Sequence, residues 1–368
     1  MDQTTLAGRI LTPVGWIAGT LRCTAQILEI CPGPAPGDRF IVPGFIDLHV
    51  HGGHGADCMD GADAVRHMAR FHATHGTTAL LATTVTAAAA DLRTAMCGIG
   101  ASMGEPRGVG ARILGAHLEG PFISPQALGA QPPFAIAPDI ALLEELAALA
   151  PIRVATYAPE IDPDGMLLGA FRRLGARAQI GHTTCDYAQA RAALADGAAG
   201  FTHLYNAMSR LHHRAAGAVG AALALAPSAE IILDFQHVDE GAALAALRAI
   251  PKLHCVTDAV AAAGMPDGQY HLGAHAIVKQ GDTVRLADGN LAGSVLTMDR
   301  AFGNLLALGI PLAEAAKRCS TLPAEYLGLG ERGRLVPGAA ADIVVLDASG
   351  RLEAVFVEGQ GIEPIAGA

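Results

Sequence analysis

With 368 residues, 51% of them hydrophobic and only 4% aromatic, the chain carries enough apolar surface for a large core. Charged residues make up 16% and the formal net charge is −10, which excludes intrinsic disorder and a nucleic-acid surface, because the latter needs clustered Lys and Arg to neutralise phosphates. The longest apolar stretch, residues 215–226, is Ala/Gly-dominated and stops at Pro227, too short to span a bilayer. The start, Met1-Asp2-Gln3, has no basic segment followed by an apolar run, so the expected location is cytoplasmic, with no membrane partner. Seven cysteines (Cys23, Cys31, Cys58, Cys97, Cys185, Cys255 and Cys319) form no C-x-x-C pair and are expected to stay reduced.

Three short β-like runs come first, at 9–11, 16–21 and 25–30, broken by a Pro/Gly segment at 31–37; they predict a small antiparallel sheet. From Ile41 the pattern changes to short apolar runs separated by alanine-rich segments of helical period, the mark of repeated βα units. Eight strands are expected, at 45–50, 78–83, 113–118, 152–156, 178–181, 200–202, 231–233 and 253–257. Helices are expected between them, among others at 62–74, 140–149, 166–174, 188–196 and 241–249. Eight βα units are what a closed (β/α)8 TIM-like barrel requires. After Arg285 the order loosens, then a helix over 312–319 leads into β-like runs at 342–346 and 354–357. The expected architecture is α/β: a barrel over 46–324 beside a small β domain formed by both termini, 1–45 and 325–368.

Polar residues gather at the ends of these strands. His49 and His51 lie at i and i+2 of the first strand, so both imidazoles face one side. Glu119 ends the third strand, His182 the fifth, His203 the sixth and Asp258 the eighth. A pair of histidines alone is an ordinary barrel-mouth feature. Six such groups on one rim have little reason to exist unless a cation compensates them. One or two divalent ions per chain are expected, zinc first, with iron, manganese and cobalt the other ions such a set accepts. His237 ends the seventh strand without a matching carboxylate and reads as a substrate contact. His54, His67, His72, His75, His117, His254, His271 and His275 read as structural, and His212 and His213, in the loop after Asn206, are given no role.

Val42-Pro43-Gly44-Phe45-Ile46-Asp47-Leu48-His49-Val50-His51-Gly52 resembles the opening strand of the amidohydrolase superfamily. Gly115-Ala116-His117-Leu118-Glu119-Gly120-Pro121-Phe122, Ile180-Gly181-His182-Thr183 and Thr202-His203-Leu204-Tyr205-Asn206-Ala207-Met208 narrow the resemblance to N-acetylglucosamine-6-phosphate deacetylases. Val256-Thr257-Asp258-Ala259, Leu291-Ala292-Gly293-Ser294 and Pro337-Gly338-Ala339-Ala340-Ala341-Asp342 extend it to almost the whole chain.

The resemblance implies metal-dependent hydrolysis of the acetamide of an N-acetyl amino-sugar 6-phosphate, N-acetylglucosamine 6-phosphate first. Glu119, His182 and His203 would hold the principal ion, and Asp258 would act as general base and acid. His49 and His51 add a second metal position, with Glu119 as the bridge, since no lysine precedes Lys252 to serve as a carboxylated bridge. Asn206, Ala207 and His237 match positions that hold the sugar and its phosphate side, and Gln131 stands where many members have a histidine. Arg214 matches a phosphate-binding arginine offered across a dimer interface, so a homodimer is implied. The alternatives are another epimer, such as N-acetylgalactosamine 6-phosphate, or a deaminase of the same superfamily.

Overall fold

The computed structural model describes residues 3–34 and 37–363. The outer ends of the expected terminal domain, 1–2 and 364–368, and residues 35–36 of the expected 31–37 break lie outside them. Eight parallel strands pair in sequence order: Phe45–Val50, Thr77–Thr84, Arg112–Glu119, Ile152–Tyr157, Arg177–Ile180, Gly200–Phe201, Ser228–Ile232 and Lys252–Val256. The first two are buried along their whole length, as expected of a parallel sheet covered by helices on one face and filled by side chains on the other. Closure between the eighth strand and the first is made by Asp258 N–H donating to the His49 carbonyl (2.8 Å) and His51 N–H to that of Ala259 (2.9 Å). Buried Asp47 reinforces this seam by accepting from the Thr257 hydroxyl (2.6 Å) and the backbone N–H of His49 (3.2 Å).

The expected helices at 62–74, 140–149 and 166–174 appear as Ala62–Thr74, Ile140–Leu149 and Met166–Leu174. The expected 188–196 helix begins earlier, at Tyr187, because Asp186 and Gln189 form a reciprocal capping box. The expected 241–249 helix appears as Glu240–Ala249, and helices at Ala89–Ser102, Gly217–Leu225 and Met298–Ala307 complete the outer layer. The last expected helix, 312–319, is one part of a longer run: Leu312–Ala316 continues through a wider turn at Lys317–Thr321 into Leu322–Leu327.

A seven-stranded sheet takes strands from both ends of the described chain, in the order Gln360–Gly361, Leu352–Val357, Ile343–Leu346, Phe40–Pro43, Thr4–Thr12, Gly15–Cys23, Ile27–Pro32. It packs around its own core of Ile10, Leu21, Ile41, Leu335 and Ile343. A further three-stranded antiparallel flap, Gly268–Leu272, His275–Gln280 and Thr283–Arg285, stands between the eighth strand and Arg285, where no element is expected from the sequence. Leu272 and Ile277 are buried, but apolar Ala276, Ile277 and Val278 run together rather than alternating, so the period-2 signal is faint. Among the described residues no helix is long and apolar enough to cross a membrane.

Candidate active site

The carboxyl end of the barrel opens into a cleft of about 290 Å³ lined by His51, Glu119, Gln131, His182, His203, Asn206, Ala207, His237 and Asp258, among others. His182, His203 and Asp258, expected directly at the ends of their strands, sit two residues beyond them. All three have positive φ (47°, 27° and 51°), which breaks the ladder and turns the side chains over the barrel mouth. Non-glycine residues so placed cost on the order of 1–3 kcal/mol each and persist where the surroundings enforce them. Gly181 makes this crowding feasible: a Cβ there would lie 2.8 Å from Thr202 Cβ and 2.9 Å from Thr156 Cγ2.

Glu119 is the hub. Its Oε1 lies 3.0 Å from His203 Nε2, 3.2 Å from His182 Nε2 and 3.5 Å from His49 Nε2; its Oε2 lies 3.3 Å from His51 Nε2. Asp258 Oδ1 stands 3.1 Å from His51 Nε2 and 3.3 Å from His49 Nε2. Two adjoining donor groups result, Glu119–His182–His203 and His49–His51–Asp258.

The tautomers decide what these groups want. His51 Nδ1 donates to the Thr83 carbonyl (3.0 Å), His182 Nδ1 to the Ala127 carbonyl (2.9 Å) and His49 Nδ1 to Glu230 (3.1 Å). Those oxygens only accept, so each neutral ring turns its Nε2 lone pair inward. There His49 and His51 Nε2 stand 3.2 Å apart, and His182 and His203 Nε2 stand 3.1 Å apart, beside the Glu119 oxygens. Between His49 and His51, lone pairs facing one another at that range repel unless a positive charge lies between them. The pKa values report the same demand. Burial opposes charging of His51, yet Asp258 and Glu119 override it and push the ring up to about 9; Glu119 and Asp258 likewise raise His49 against its burial. Burial would raise Asp258, but His49 and His51 bring it down to about 2. This is a donor set that fits a divalent cation, with His/carboxylate ligands of the kind zinc takes.

The other expected contacts are placed unevenly. Asn206 lines the cleft with its amide nitrogen donating to the His203 and Leu204 carbonyls, and Ala207, at φ 49°, lines it beside Gly129. His237 does have a carboxylate, contrary to expectation: Asp234, three residues earlier, accepts from its Nδ1 at 2.7 Å, a pairing made within the turn that follows the strand. Gln131 is buried, donating to Glu119 Oε2 and accepting from Thr86 N–H (2.6 Å), so both ends of its amide are engaged by the protein. Arg214 is exposed on the loop after the sixth strand, beside His213, and lies outside the cleft lining.

His117, expected to be structural, bonds the Leu48 carbonyl and the Thr156 hydroxyl, with burial driving its pKa down to about 3. The residue sequence reasoning missed is Glu230. Fully buried in the seventh strand, it holds His49 and accepts from the His203 N–H. The available signal was a lone acid inside the run Ala229-Glu230-Ile231-Ile232-Leu233, since a charge in a buried strand demands a partner.

Comparison with known proteins identifies the family. The Amidohydrolase family model matches residues 40–362. An N-acetylgalactosamine-6-phosphate deacetylase from Escherichia coli O157:H7 is 37% identical over 98% of this chain and 99% of that protein. An N-acetylglucosamine-6-phosphate deacetylase from Vibrio furnissii is 39% identical over 87% and 82%. Among solved structures, a variant of N-acetyl-D-glucosamine-6-phosphate deacetylase from Mycobacterium smegmatis in complex with N-acetyl-D-glucosamine-6-phosphate superposes with TM-score 0.92 at 31% identity, covering 99% of this chain and 100% of that one. By sequence and fold alike, the chain belongs to the amidohydrolase family and, within it, to the N-acetylglucosamine-6-phosphate deacetylases.

Proposed function

We propose that this enzyme hydrolyses the acetamide of an N-acetylhexosamine 6-phosphate, N-acetylglucosamine 6-phosphate first, to acetate and the amino-sugar 6-phosphate. The observation that carries this reading is the convergence of four histidine Nε2 atoms on Glu119 at the barrel mouth. Glu119, His182 and His203 would hold a divalent ion, zinc first, and His49, His51 and Asp258 would offer a place for a second. When bound, such an ion makes water acidic enough to yield hydroxide near neutral pH and polarises a carbonyl.

The chain's own groups supply the rest. Asp258 is ionised throughout the physiological range and accepts the proton of the attacking water, then returns it to the departing amine, which leaves poorly unless protonated. The Asp234 carboxylate fixes His237 with Nδ1 as donor, orienting the ring toward the sugar. Asn206 and the Ala207 N–H, which has no partner among the described residues, bind the sugar's phosphate side. Among the described residues no Lys or Arg lines the cleft, so the phosphate needs a cation from elsewhere, and Arg214 supplies it across a homodimer interface. The proposed setting is cytoplasmic. A second reading, the N-acetylgalactosamine epimer, is favoured by the E. coli relative that aligns over 98% of the chain.

Chelation tests the reading. Protein stripped of metal is expected to release no acetate from N-acetylglucosamine 6-phosphate, and zinc is expected to restore the release; full activity after verified removal would overturn it. Glu230→Gln should weaken the ion held by His49 by about 10–100-fold, the usual effect of removing a carboxylate behind a ligating histidine. Metal titration reads this directly, and an unchanged second affinity would strip Glu230 of the role.

A further inference from the structure

At the end of the barrel opposite the histidine cluster, the starts of the fourth, fifth and sixth strands surround an open cleft of about 260 Å³. From Arg177 here to His182 at the other mouth, five residues at ~3.3 Å each span about 16 Å. The cleft is lined by Arg153, Arg172 and Arg177, with no Asp or Glu.

Other arginines of the outer helices find acids: Arg173 faces Glu144 at 3.5 Å, and Arg93 grips Glu145 at 2.6 Å. Among the described residues, none of the three cleft arginines has a carboxylate within ion-pair range. Each is anchored by a neutral partner instead. Arg153 donates to the Leu327 carbonyl at 3.3 Å, Arg172 to the Asp196 carbonyl, and the Arg177 guanidinium lies 5.8 Å from the Tyr326 ring centre. Gly197, at φ 111°, lets Arg172 approach the chain this closely, since a Cβ there would stand 2.8 Å from its Nη2. Carbonyl capping explains two of the anchors. It calls for a hydrogen bond, not for three uncompensated cations in one hollow of a protein whose net charge is −10.

We infer that this cleft is a binding site for a phosphate-bearing anion, separate from the metal cluster. A guanidinium offers five N–H donors in a planar fork that matches phosphate oxygens, and Arg153 and Arg172 each have donors beyond the one bonded to a carbonyl. The volume suits inorganic phosphate or a small phosphate monoester, not a nucleotide.

The test is hydrogen exchange on the metal-loaded protein with and without millimolar inorganic phosphate. The expected result is phosphate-dependent protection of residues 172–178 and 196–199. In Arg172→Gln/Arg177→Gln that protection should need about tenfold more phosphate or vanish, with kcat and KM for substrate unchanged. Arg214→Met, on the other side of the barrel, should leave it intact. Should the double variant fail to fold, exposed Arg177→Gln alone serves the same comparison. No protection at these segments in the parent, or equal protection in the variants, would overturn the site.

Discussion

Asp258→Asn is expected to lower kcat by about 10²–10⁴-fold, the range attributable to a lost general base and acid. The substitution is well suited to isolate the proton transfer. Asp258 sits at φ 51°, a conformation asparagine adopts readily, so the backbone keeps its shape. The carboxamide also preserves side-chain size while removing basicity. Because Asp258 Oδ1 touches His49 and His51, the second ion is expected to bind more weakly, whereas the ion held by Glu119, His182 and His203 should remain. Steady-state kinetics together with metal analysis checks both statements. A loss of less than about tenfold, under ~1.4 kcal/mol of transition-state stabilisation, would remove Asp258 from the role of base.

Arg214→Met should raise KM for the 6-phosphate substrate by one to two orders of magnitude, since a charge-assisted pair contributes about 1.5–3 kcal/mol. Its side chain is exposed and makes no ion pair among the described residues, so folding should be indifferent to the change. Activity on the unphosphorylated sugar should stay as low as in the parent. Arg210, exposed on the same loop, is the control. If Arg210→Met shows the loss and Arg214→Met does not, the assignment of this loop is wrong.

Much of this was legible in the sequence because barrel chemistry lies at predictable places. Strand ends could be located from apolar runs, and His49, His51, Glu119, His182, His203 and Asp258 do meet at one mouth. What periodicity could not supply was the backbone beyond the strands. The left-handed turns at His182, His203 and Asp258 come from long-range packing, such as the fit of Gly181 between Thr156 and Thr202. Glu230 escaped notice because the expected seventh strand, 231–233, begins after it, whereas the strand runs from Ser228 to Ile232. The Asp234–His237 pair was hidden for another reason: its three-residue spacing suggests a helix face, and here it is made by a turn. The flap at 268–285 carries apolar residues that run together rather than alternating, so it does not announce itself.

The central claim is hydrolysis of an acetamide on a phosphorylated amino sugar. Its most direct test is to give the metal-loaded protein N-acetylglucosamine 6-phosphate, its galactosamine epimer, unphosphorylated N-acetylglucosamine and a nucleoside amine, and to quantify acetate and ammonia separately. The account predicts acetate in amounts equal to the free amino sugar formed, from one or both phosphorylated sugars, little from the unphosphorylated one, and no ammonia. Ammonia from the nucleoside with no acetate from either phosphorylated sugar would contradict it.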